Sequence, residues 1–189
     1  MQIFPSFLCF SLSQVHALSM PTGQLPGPGD TKRQKLAAPT GKSFKLQCFG
    51  VKYDCKDLPR FDYTMDCCQF LEMQFDHVGH HDGLLETFIQ SDAFPHLMQD
   101  ILAFVKNAKE GCSTIGVFSD RGRHRSVALA WCVQVLLQHM GLPCETDFLE
   151  KKRGHWLGMC HSCEKCSLQS PFKERIAKRL PEWFKQDLQ

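Results

Sequence analysis

Residues 114–127 read TIGVFSDRGRHRSV, and this stretch decides the fold. Ser113–Phe118 is a short apolar run of the kind that forms a buried strand. From about His124 to Met140 the chain reads as a helix, stopped by Gly141 and Pro143, and it is apolar on nearly every face from Val127 to Leu137. Such a helix is buried on more than one side. Between strand and helix stand Ser119, Asp120, Arg121, Gly122, Arg123, His124, Arg125 and Ser126. Backbone N–H groups at a helix start lack intrahelical partners and carry partial positive charge, which makes a loop there an anion site. Gly122 lets the chain turn sharply and approach a ligand. Arg125 is the best-placed bidentate clamp for two phosphate oxygens. The loop also lies at the carboxyl end of a strand, where ligands collect in open α/β sheets. The expected ligand is therefore phosphate-bearing, against the plainer alternative of a solvated basic turn. Asp120 is discordant: its carboxylate must point away, pair with an arginine or contact a sugar hydroxyl.

Working outward, FKLQCFGVKY (residues 44–53) alternates as a strand, and Tyr63 to Phe70 is a second strand candidate. Residues 92–108 predict a helix, with Phe94, Leu97, Met98, Ile101, Leu102 and Val105 at helical spacing, Ser91 or Asp92 as cap and Gly111 after the end. Leu142–Leu149 is a further strand candidate. The last helix starts at Ser170-Pro171, an N-cap followed by proline in the first turn. Its apolar stripe is Phe172, Ile176, Leu180 and Trp183, with Pro181 expected to kink or shorten it. Strands alternating with helices predict an α/β fold, a mostly parallel sheet flanked by helices. His80, His81 and Asp82 read as a polar turn. Adjacent Cys67 and Cys68, on a strand, would face opposite ways.

Two families resemble the 114–127 stretch. Ser119, Gly122, Arg125 and Ser126 are similar to the C-x5-R phosphate loop of protein tyrosine phosphatases, with Ser119 at the nucleophile position. A serine there needs a general base, so phosphatase-like hydrolysis is the secondary expectation. The closer resemblance is to the C-terminal domain of the RNase adapter protein RapZ, whose loop has the form T-I-x-I-G-C-T-G-G-x-H-R-S-V and aligns with Thr114–Val127 without gaps. That family opens its domain with S-F-G-F-K-Y, and here stand Cys48-Phe49-Gly50-Val51-Lys52-Tyr53. Asp66 resembles the aspartate of the family's D-x-R segment, and residues 79–83 stand where the family has a short Gly-Leu-Asp element. The resemblance covers about residues 48–150. It implies a phosphate-binding α/β domain, regulatory rather than catalytic, that takes a sugar phosphate or a nucleotide, or RNA through its phosphates. Carried over by position, Gly122, His124, Arg125, Ser126, Lys52 and Tyr53 are retained. The family's Cys, Thr and first Gly become Ser119, Asp120 and Arg121, its D-x-R arginine becomes Cys68, and its N-terminal P-loop domain is missing.

His155-Trp156-Leu157-Gly158-Met159-Cys160-His161-Ser162-Cys163-Glu164-Lys165-Cys166 has metal-ligand spacing. Three thiolates two residues apart can converge on one ion, and zinc takes such sets with one histidine. His155 is the expected fourth ligand beside Cys160, Cys163 and Cys166; His161 and Cys144 are alternatives. The site would be structural, since four protein ligands leave no position open. An iron–sulfur pattern would need a cysteine where Ser170 precedes Pro171.

The chain has 189 residues, 43% hydrophobic and 22% charged, with net charge +2 and pI about 8.0. This fits one globular domain with a tail. Eleven cysteines, an odd number, point to a reducing compartment and a metal rather than a disulfide scaffold. No run is apolar long enough to cross a membrane. Residues 1–42 read as an irregular extension and linker. Val15-His16-Ala17 could pass for a signal-peptidase site, although no Lys or Arg precedes the apolar stretch. Thr40-Gly41-Lys42-Ser43 is not a nucleotide P-loop: its earlier glycine would fall on Leu36, and a strand follows where a helix should. Residues 43–150 form the α/β domain. Residues 151–189 add the cysteine knuckle and a terminal helix, with nine Lys/Arg against four Asp/Glu, which favours an acidic partner or a solvated face.

Overall fold

β1 (Lys42–Gly50) alternates Phe44, Leu46 and Cys48 on one face with Lys45, Gln47 and Phe49 on the other. The computed structural model describes residues 41–70, 76–160 and 162–188; the Val15-His16-Ala17 segment and His161 lie outside them. β1 pairs in parallel with β3 (Gly111–Ser119) and with β4 (Cys144–Phe148), and β3 pairs in parallel with β2 (Tyr63–Asp66). The strand order is β2-β3-β1-β4.

Between β2 and β3 lie α1 (Asp82–Ile89) and α2 (Ala93–Asn107); α3 (Arg125–His139) joins β3 to β4. The apolar sides of these helices meet Phe44, Leu46, Cys48, Ile115 and Val117 on one face of the sheet. The β1–β2 connection takes the other face. There Phe61 stacks on Phe49, and Gly116 leaves it room, since a Cβ would lie 2.9 Å from its ring. Strand progression toward β2 and toward β4 thus uses opposite faces, as right-handed crossovers demand. α3 touches β1, β3, β4, α1 and α5 (Pro171–Trp183). That is why it carries almost no polar stripe.

Several boundaries differ from expectation. β2 stops at Asp66, because the Asp66 carboxylate accepts the Cys68 backbone N–H at 2.7 Å and turns the chain. Cys67 and Cys68 are therefore in a turn, not a strand. Cys67, Cys48 and Cys132 are core residues whose thiols burial pushes up. The polar turn at 80–82 leads directly into α1, where the His81 ring nitrogen accepts the Gly83 N–H as N-cap. Histidine is not among the usual capping residues. Lys42 opens β1, and its ammonium caps the last carbonyls of α2, Val105 and Lys106. α5 runs through Pro181, and Phe184 rather than Trp183 fills the buried position at its end.

Lys173 is 1% exposed and binds Asp82 Oδ1 at 2.6 Å, the Lys165 carbonyl at 2.9 Å and Ser170 Oγ at 3.3 Å. It ties α5, the 3-10 turn Glu164–Cys166 and the start of α1 together.

The backbone comes close at Gly79, whose N–H donates to the Arg123 carbonyl at 2.8 Å. A Cβ there would sit 1.8 Å from the His124 carbonyl oxygen. Gly79→Ala is expected to lower stability by at least about 1–3 kcal/mol, read from the midpoint of urea unfolding.

Candidate anion loop and metal cluster

β1 and β3 are neighbours whose exits leave toward opposite faces. The crevice outside their carboxyl ends is the switch point where α/β sheets bind ligands. The two motifs singled out in the sequence meet there. Val51 N–H donates to the Ser119 carbonyl at 3.1 Å and Lys52 N–H to the Asp120 carbonyl at 2.9 Å. Gly122 has φ +61, and a Cβ on it would meet Gly50 N at 2.4 Å; one on Gly50 would meet the Arg121 carbonyl carbon at 2.6 Å. Neither position admits a side chain.

Inside the loop, the Ser119 hydroxyl is buried, donates to Ser126 Oγ at 3.2 Å and accepts the Gly122 N–H at 3.2 Å. It holds the turn closed. Arg125 is 5% exposed. Its guanidinium binds Asp120 Oδ2 at 2.7 Å and the carbonyls of Cys68 at 3.1 Å and Phe70 at 2.8 Å. The clamp expected for phosphate is therefore engaged with a carboxylate of the same loop and with the chain leaving β2. Asp120 resolves as the arginine-paired case; Lys52 Nζ approaches it as well, at 3.9 Å. Arg121 and Lys52 are exposed, and Arg123 is half-buried. Arg123 Nε is buried and makes no hydrogen bond within the protein. The same holds for Nε1 of Trp156, a 5% exposed residue that packs on Val78 and on Val127 in the first turn of α3.

His155 does not join the cysteines. After β4, the short helix α4 (Leu149–Lys152) carries Glu150, which is 0% exposed. Glu150 accepts Gly50 N–H at 3.1 Å and Arg153 Nη1 at 3.2 Å on one oxygen, and His155 Nδ1 on the other. A buried carboxylate needs such donors, and it engages the His155 ring, which is no part of the cysteine group. The ring stacks on Tyr53, with centroids 3.9 Å apart and planes 23° apart.

The fourth member of the cluster is His77. Its ligand nitrogen and the Sγ atoms of Cys160, Cys163 and Cys166 all lie within 4.8 Å of one another. His77 is fixed by backbone pairing with the knuckle: Val78 N–H donates to the Cys160 carbonyl at 3.2 Å and Cys160 N–H to the Asp76 carbonyl at 2.7 Å. Bonds of about 2.3 Å to sulfur and about 2.0–2.1 Å to nitrogen at tetrahedral angles separate N from S by about 3.6 Å. His77 Nδ1 lies 3.4 Å from Cys166 Sγ and 3.8 Å from Cys163 Sγ, so the donor set fits a four-coordinate metal. The backbone N–H groups of Ser162 and Cys163 hold the Cys160 thiol below its usual range, while burial pushes Cys166 up to about 12. His77 precedes Cys163 by 86 residues, and no local spacing signals it. Cys144 sits in β4 and is no part of the group.

No family model, curated protein or solved structure matches the chain. Among the described residues, no helix is long and apolar enough to cross a membrane.

The Arg125 hydrogen bond keeps the Asp120 carboxyl below its ordinary value, about 3.9. A depressed folded-state value gives stability that is complete above the ordinary value and is lost as pH falls through the folded one. Asp120→Asn should therefore be less stable than the parent at pH 7. The gap should narrow below about pH 4 in urea melts at stepped pH.

Proposed function

We propose that this is a regulatory phosphate-ligand-binding domain. Its ligand site would lie between the 119–126 loop, the first turn of α3 and Trp156, and a zinc ion in the knuckle would brace it. The observation that carries the reading is the pair of buried donors, Arg123 Nε and Trp156 Nε1, left without acceptors beside the α3 start. A buried donor without a partner costs about 1–3 kcal/mol. An anion on the helix start would meet the partial positive charge there, and an acceptor brought to either donor would remove that cost. Lys52 and Arg121 add exposed cations at the rim. The resemblance to the RapZ C-terminal domain points the same way, with Arg125 reassigned from ligand clamp to loop staple. The ligand classes are a sugar phosphate, a nucleotide or an RNA phosphate. Turnover by Ser119 is disfavoured, because its hydroxyl is buried and committed to Ser126 and the Gly122 N–H.

Zinc is the ion proposed for His77, Cys160, Cys163 and Cys166: three thiolates and one imidazole suit it, and the closed set assigns it a structural role. The knuckle backs the loop through Val78 and Gly79, so the metal would hold the loop's rear wall.

Calorimetric titration with inorganic phosphate and with sugar phosphates tests the ligand reading. Binding is expected, weakened about tenfold by Arg123→Ala and by Trp156→Phe, since a hydrogen bond to a charged group contributes about 1.5–3 kcal/mol. Absence of binding by the parent protein overturns the reading. For the metal, elemental analysis should give one zinc per chain, retained in His155→Ala and reduced in His77→Ala. The reverse pattern would restore His155 as the ligand.

A further inference from the structure

Beside the loop stands a second feature that anion binding does not use. Tyr53 and His155 form a face-to-face ring pair, 3.9 Å between centroids. The His155 side chain is 35% exposed and Tyr53 is half-buried, so the pair sits at the surface. Both rings are held. Tyr53 N–H donates to the Gly50 carbonyl at 3.3 Å and its ring lies where a Cβ on Gly50 would be, and the Glu150 carboxylate fixes His155 through Nδ1. Both Glu150 oxygens are committed, to Gly50, Arg153 and His155. Glu150 is thus a positioning residue rather than a ligand group. The stack adjoins the loop directly: Tyr53 follows Lys52, whose N–H donates to the Asp120 carbonyl at 2.9 Å, and a Cβ on Gly122 would lie 2.7 Å from Glu150 Cγ. A pre-oriented aromatic pair next to a phosphate loop offers a planar ring a stacking surface with little further ordering.

We propose that the ligand is a nucleotide, a nucleoside monophosphate whose base lies on the Tyr53–His155 stack while its phosphate occupies the 119–126 loop. This rests on the phosphate reading above and narrows it from phosphates in general to those carrying a nucleobase. A bare sugar phosphate uses the loop alone and gains nothing from the rings.

The test compares adenosine 5′-monophosphate, ribose 5-phosphate and inorganic phosphate on the full chain, by calorimetry and by NMR of the ring protons of Tyr53 and His155. The nucleotide should bind at least about tenfold more tightly than ribose 5-phosphate, as base–aromatic stacking predicts. It should also move upfield, by ring current, the signal of whichever of the two rings it covers, and ribose 5-phosphate should not. Tyr53→Leu and His155→Ala should each bring the affinity ratio of the two sugar-bearing ligands close to one. The NMR readout needs no variant, so it stands even where His155→Ala disturbs Glu150. Equal affinity for the three ligands, with no shift of either ring, overturns the nucleotide proposal and leaves phosphate binding intact. Binding of none of the three overturns the phosphate reading, and the nucleotide proposal with it.

Discussion

The buried carboxylate of Glu150 is the constraint on which the functional edge of this molecule depends. A fully buried carboxylate is strongly unfavourable unless donors surround it. Glu150 draws three: the Gly50 N–H at the end of β1, the Arg153 guanidinium and the His155 imidazole. In satisfying itself it fixes where β1 ends, where the chain after β4 turns, and how the His155 ring lies on Tyr53. Its side chain also occupies the space a Cβ on Gly122 would need, so it bounds the loop. One desolvated charge thereby brings together segments from three distant parts of the sequence.

The loop itself is organised by a second charge pair. Arg125 and Asp120 neutralise each other, and the remaining guanidinium donors take the carbonyls of Cys68 and Phe70. This makes Arg125 a structural staple between the ends of β2 and β3. It also explains how a carboxylate can sit in an otherwise cationic loop: its charge is already paired. The remaining positive character is left to Arg121, Arg123 and the start of α3, with Lys52 at the edge of the Arg125–Asp120 pair. A loop built this way is held in one shape by its own side chains.

The cysteine knuckle is the third brace. Its pairing with residues 76–78 and the bond from Gly79 to Arg123 lay the metal-ligand strip against the rear of the loop. Lys173 locks the other side of the knuckle to α1 and α5. The Cys/His group, the loop and the terminal helix form one connected unit, although His77 and the loop lie far in sequence from the cysteines and the helix that follows them.

Local patterning was enough for the elements. The helix at 93–107 and the buried helix after the loop are set by apolar content, and the Ser170-Pro171 start by its cap, all of which act within a few residues; neither of the first two carries a side-chain cap. The loop at 119–126 was legible for the same reason, as was the grouping of three cysteines at two-residue spacing. Tertiary structure decided what each charged or metal-binding group does. Arg125 went to Asp120 and two carbonyls, His155 went to Glu150, and His77 took the fourth place in the cluster. Those choices are settled by desolvation: a buried charge or thiolate takes whichever partner the folded chain brings within reach, and that partner can lie anywhere in the sequence. The sequence by itself determined an α/β sheet with a basic loop and a thiolate cluster. Only the fold decided which histidine serves the cluster and which serves the loop.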